Sequence, residues 1–195
     1  MNLSDGKQTP KEPAMMMASA LRRFGRQFRT NQKGVAAIEF ALIAPVMIAL
    51  YVGLIEFSNA LTLDRKLTHT ASALADLVAQ DNGITDAEMN DILAASAAIV
   101  APYSPNPLRL VVSSVVADSD NNTTVAWSDA KNTSPRGTGS NITLPEGLTE
   151  PGSSVILAEV SYTYTSPFTQ FLSGGIELQD RFYLRPRRVL QVSRS

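Results

Sequence analysis

The sequence contains no cysteine, so it can build neither a disulfide framework nor a thiolate metal site. If part of the chain is exported, packing alone must hold that part together. There is one histidine, His69 in the stretch LTHTAS, with no second histidine near it. That isolation suits an exposed or packed helix residue rather than a ligand. No P-loop, GxSxG or HExxH motif occurs. The carboxylates Asp76, Asp81, Asp86, Glu88 and Asp91 are spread along expected helix ends, where caps and solvated faces account for them. The expectation is a protein that is not an enzyme, with no cofactor, no metal and no small-molecule substrate.

Net charge is also nearly lacking, at −1, but the two signs are unevenly placed. Residues 1–34 carry Lys7, Lys11, Arg22, Arg23, Arg26, Arg29 and Lys33 against Asp5 and Glu12, a net +5, which leaves −6 for the rest. Immediately after the basic segment, Val35 to Phe57 reads VAAIEFALIAPVMIALYVGLIEF. As a helix rising ~1.5 Å per residue it would span roughly 34 Å, enough for a hydrocarbon core of about 30 Å. A basic cluster flanking such a span stays in the cytosol, so the acidic remainder is expected across the membrane. The span accounts for the arginines without nucleic acid, and no nucleic-acid partner is expected.

The run contains Glu39, which needs a reason, because a carboxylate at the centre of a membrane helix costs about 2.5–3.5 kcal/mol and less towards its ends. The segment is too long for the apolar core of a signal peptide, and cutting at Ser58-Asn59-Ala60 would split what reads as one helix. An uncleaved signal anchor fits the length and the charges but leaves Glu39 unexplained. A cut after Gly34 explains it. Val35 would become the new N-terminus, four residues from Glu39 on the same helix face. A glutamate in the first turn also suits the helix dipole. In an assembly, the carboxylate of one helix can then meet the amine of its neighbour.

Basic residues, Gly34, and a hydrophobic helix with Glu39 at its fifth position resemble a type IV prepilin processing site. The string GVAAIEFALIAPVMIALYVGLIEFSNAL, with Glu39-Phe40, Pro45 and Ile55-Glu56-Phe57, is similar to the TadE/TadG-like proteins of the bacterial tight-adherence (Tad, Flp) pilus system. The C-terminal stretch SYTYTSPFTQFLSGGIELQDRFYLRPR also resembles that family's end. The resemblance implies a minor pilin- or pseudopilin-like component of the pilus and secretion machinery, working by helix-helix assembly. Gly34 and Val35 would flank the processing site, and Glu39 and Phe40 would serve assembly. The implied partners are the bacterial inner membrane, other Tad pilus subunits and assembly proteins, and a prepilin peptidase. The N-terminus would be cytoplasmic and the C-terminal domain periplasmic. The alternative is an uncleaved single-pass envelope scaffold. Pro45 reads as a tolerated kink, and Glu56 as a polar anchor at the outer interface.

Beyond the span, Leu63, Leu67, Ala71, Leu74 and Val78 recur with the period of one helix face, so the helix should continue to about Gln80 and pack on the protein's own sheet. Asp81-Asn82-Gly83 ends it, and Thr85-Asp86-Ala87-Glu88 is a capping-box pattern opening a second helix to about Val100. Strands are expected at Leu108 to Ala117, Thr123 to Trp127, Val155 to Thr165 and Ile176 to Leu184, the last two antiparallel neighbours. A loop is expected from Lys131 to Ser153, with one helical turn in PFTQFL. Trp127, Tyr162 and Tyr164 read as sheet packing. The fold class is α+β and pilin-like: a basic cytoplasmic leader (1–34), a transmembrane helix (35–57), a helical stalk and second helix (58–100) and a β-rich periplasmic domain (101–195).

Overall fold

In the computed structural model, residues 33–166 and 175–195 are described. The chain is α+β, a long apolar helix followed by a small domain with a second helix and an antiparallel sheet. The expected turn in PFTQFL and the basic leader up to Asn31-Gln32 lie outside the described residues.

Helix α1 runs from Lys33 to Ala79 and continues through Pro45. The chain divides after Leu54 into two units. In the first, the described residues of α1 keep their side chains exposed or half-buried throughout. The most apolar 18-residue stretch of α1 has a mean hydropathy of 2.3, and none of it is buried.

The second unit begins at Ile55 and contains everything else. Here the apolar stripe decides the packing. Leu63, Leu67, Ala71, Leu74 and Val78 lie on one face of α1 and are completely buried. They share a single core with Leu108, Leu110 and Val112 of strand β2 (Leu108–Ala117) and with Ile156, Ala158 and Val160 of strand β4 (Ser154–Tyr164). Side chains alternate along a strand, and the register pairs Leu110 with Val160 and Val112 with Ala158. The centre of one sheet face is thereby made apolar for the helix. The expected packing of the stripe on the protein's own sheet is what the structure has.

The sheet is antiparallel throughout, in the order β3-β2-β4-β5, with β3 at Thr123–Lys131 and β5 at Ile176–Leu184. β3 runs four residues past the expected Trp127. A bulge where Ser114/Val115 meet β3 explains how it continues. Trp127 opposes Ser114 while Val125 opposes Val115, so Ala126 is the extra residue. Residues 125 and 127 would share a face in a regular strand, but the bulge turns Trp127 to the helix side and Val125 to the other, and both are buried.

Helix α2 (Asp86–Ala98) opens on the expected capping box. The Glu88 N–H donates to the Thr85 hydroxyl, and the Thr85 N–H donates back to the Glu88 carboxylate at 2.9 Å. Met89, Leu93 and Ala97 turn from α2 into the core. Strand β1 (Gly83–Ile84) pairs in parallel with β6 (Ser193–Arg194), a contact with no counterpart in the sequence reading. The loop after β3 folds back onto it. Ser140 accepts from the Val125 N–H, Gly139 donates to Val125, and an isolated bridge joins Thr124 to Asn141.

Candidate functional site

Gly34, Val35, Glu39 and Phe40 all fall on α1, in the first two turns of its described part. A helix turns by about 100° per residue, so positions four apart nearly superpose. Val35 and Glu39 therefore share one face with Leu42 and Val46, while Phe40 points about 100° away from Glu39. Val35 is 52% exposed and Phe40 72% exposed, and Glu39 is exposed as well. A Cβ built on Gly34 would meet nothing within 4 Å. Among the described residues Glu39 has no hydrogen-bond or ion-pair partner. The helix thus brings Val35 and Glu39 onto one face and sets Phe40 on another. Among the described residues nothing meets the carboxylate.

A second polar group sits on the same helix inside the second unit. Glu56 was expected to reach outwards as an interfacial anchor. Instead it is only 6% exposed, and Tyr164 of β4 donates its hydroxyl to Glu56 Oε2 at 2.9 Å. Glu56 Oε1 is buried without a partner. One turn further on, Tyr103 donates to the Asn59 carbonyl at 3.0 Å. Burial, helped by the bond to the Glu56 carboxylate, pushes the Tyr164 hydroxyl up to about 12. The reason for the discrepancy is positional. Glu56 is two residues inside the packed unit, and the helix rotation that buries Leu63 and Leu67 also turns position 56 towards the sheet.

Two further charged groupings escaped the sequence reading. Arg194 of β6 lies between Asp129 of β3 and Asp86 of α2, with Nε to Asp129 Oδ2 at 2.8 Å and Nη2 to Asp86 Oδ1 at 2.6 Å. These bonds, the one to Asp129 foremost, raise the Arg194 pKa above the ordinary arginine value. Glu159 of β4 is bound by Arg136 and Arg181. A signal for Glu159 was present, since it is the one charge inside the most strand-like segment, VILAEVSYTYT. For Arg194 nothing local announced its partners, which are 65 and 108 residues away.

Among the described residues, no group of three or more His, Asp or Glu side chains is placed to hold a metal ion. Among the described residues one helix is long and apolar enough to cross a membrane. Searches of curated proteins and of solved structures return no match. The family comparison does match, and the family concerned is one of pilus assembly, not of enzymes. Residues 34–76, the apolar part of α1 with most of its packed continuation, match the family of TadE-like protein, a likeness confined to that segment.

Proposed function

We propose that the chain is a minor pilin- or pseudopilin-like subunit of the Tad (Flp) pilus and secretion machinery, working by helix-helix assembly in the inner membrane. Residues 1–34 form a cytoplasmic leader that a prepilin peptidase removes between Gly34 and Val35. The freed amine of Val35 then pairs with Glu39 of a neighbouring subunit, and Phe40 packs on the adjoining helix surface. The observation that carries this reading is the carboxylate itself. Glu39 lies on an apolar, unburied helix with no partner among the described residues, and Val35 lies on the same face. A charge in that position calls for a partner, which a neighbouring subunit can supply.

The geometry makes the test clean. Among the described residues nothing lies within 4 Å of a Cβ at Gly34, and Glu39 is exposed, so substituting either leaves the fold of the second unit alone. N-terminal sequencing of the membrane-extracted protein should read Val35; Met1 at the end would favour the uncleaved scaffold. Gly34→Leu should retain the leader and yield a heavier product. Glu39→Gln should be processed and inserted normally but recovered poorly with other pilus subunits. Recovery of Glu39→Gln at the wild-type level would remove the assembly role.

A further inference from the structure

The sheet face opposite α1 carries a cluster of charges beside apolar side chains such as Val111 and Leu157. Alternation sends Arg109 of β2, Glu159 and Ser161 of β4, and Gln179 and Arg181 of β5 to that side, and the register sets Glu159 beside Arg181 and Ser161 beside Gln179. Arg136, from the loop after β3, donates Nε to Glu159 Oε2 at 2.6 Å and Nη2 to Oε1 at 2.8 Å. Arg181 Nε lies 3.1 Å from the same Oε1. One carboxylate, 15% exposed, therefore serves two guanidinium groups, and both of its oxygens are occupied. Arg109 is held more loosely. Its nearest carboxylate, Glu177, is 3.8 Å away, and both side chains are half exposed. On this face of the sheet three cations meet two anions, which leaves one positive charge over.

That surplus borders a cleft of about 160 Å³ between Arg109 and Arg181, whose walls also include Thr133, Ser161 and Gln179. Asp180 borders it too, but its register opposite Val160 assigns it to the α1 face, where its carboxylate accepts from Thr68 of α1 at 2.5 Å. The volume suits one small oxyanion. Guanidinium forks match a planar carboxylate with two parallel bonds.

We propose that this cleft is a docking site for an acidic side chain of a protein partner, a single carboxylate held between Arg109 and Arg181. One carboxylate brings the group to neutrality. A polyanionic surface such as a lipid bilayer needs clusters of about 4–8 basic residues, which this face does not have. β5 is the last strand of the sheet, with no further neighbour among the described residues, so a partner reaches the cleft without displacing a strand. The site is in the second unit and is independent of leader removal.

The test uses the full-length protein in detergent micelles and follows arginine Nε–Hε signals by nuclear magnetic resonance. The probes are an acetylated tetraglutamate peptide, its tetraglutamine counterpart and inorganic phosphate. Tetraglutamate should shift the Arg109 and Arg181 signals saturably, and tetraglutamine should not. Arg109→Gln should weaken binding at least about tenfold, the scale of one lost charge-assisted hydrogen bond. Glu177→Gln, which frees Arg109 from its competitor, should tighten it. Both side chains belong to an exposed pair worth little to folding, so thermal midpoints should stay at the wild-type value. Three results would overturn the proposal. One is an unmoved Arg109 signal. Another is tetraglutamate affinity indifferent to both substitutions, which places binding on the basic N-terminal segment. The third is saturation by phosphate at lower concentration than by the peptide, which points to a phosphate-bearing surface.

Discussion

A carboxylate at the end of an apolar run ordinarily faces the nearest water, and on sequence alone Glu56 reads that way. Its burial against Tyr164 changes what the residue does: it fixes α1 to β4 where the helix enters the packed unit. Removing one member of a buried hydrogen-bonded pair strands the other, whereas replacing both with apolar groups can be nearly neutral. Tyr164→Phe should therefore lower stability by about 1–3 kcal/mol, since Glu56 would lose its one donor among the described residues. The double change with Glu56→Met should be less harmful than the sum of its parts. Thermal unfolding of the four proteins in micelles closes that cycle, and strict additivity would mean that the bond contributes nothing. Burial of the Tyr164 hydroxyl, helped by the same bond, sets a pH dependence. The folded-state pKa of Tyr164 is raised, to about 12 from 10.0, so the neutral hydroxyl is the stabilising form. Its contribution is whole below the unfolded value and is lost as pH climbs through the folded one. Wild type should lose more stability over that interval than Tyr164→Phe.

At the scale of elements, the parts legible in the sequence are those whose signals are local. The stripe from Leu63 to Val78, the capping box at Thr85 and Glu88, and the valine-rich run of β2 each advertise themselves through a period or a spacing, and each is found. What stayed hidden depends on chain segments that meet only in the fold. The β3 bulge needs knowledge of its partner's register. The β1–β6 pair is two residues long, too short for any periodicity. The end of the chain is a further case. Trp127 Nε1 donates to the Val192 carbonyl at 2.8 Å, Ser154 donates to the Leu190 carbonyl, and Arg187 bonds Asp76, so the last residues tie α1, β3 and β4 together. Arg194 completes this strap by joining β3 to the start of α2 and donating to the Ile84 carbonyl. Its side chain is mostly buried and its bonds are charge-assisted, which sets it apart from an exposed surface pair. Arg194→Met should cost about 1–3 kcal/mol of stability, read by urea unfolding. It should also speed hydrogen exchange at the Ser193 and Ser195 N–H groups, which donate to Asn82 and Ile84. An unchanged exchange rate would mean that the β1–β6 pair holds without the arginine.

For the whole molecule, the proposed assembly surface was easier to nominate than to see. Gly34, Val35 and Glu39 stand out because an ionisable group is expensive in an apolar helix, and that cost is visible in one dimension. The charged face around Glu159 was missed because its cost is offset by Arg136 and Arg181, which only the folded sheet brings near. We propose that charge also orients the molecule. The +5 of residues 1–34 against the −6 of the remainder should hold the leader in the cytoplasm and place the chain from about Ser58 in the periplasm. The lack of cysteine gives a direct way to check this, because a single introduced thiol is the only one in the chain. Ser119 lies exposed just beyond β2, away from the core and from every ion pair described above. Ser119→Cys should therefore fold normally and react with a membrane-impermeant maleimide in intact spheroplasts, with no further labelling after lysis. Labelling that appears only after lysis would put the folded unit in the cytoplasm. In that case the basic segment would have failed as the topological signal, and Glu39 would need a partner on the opposite side of the membrane from the one the helix polarity provides.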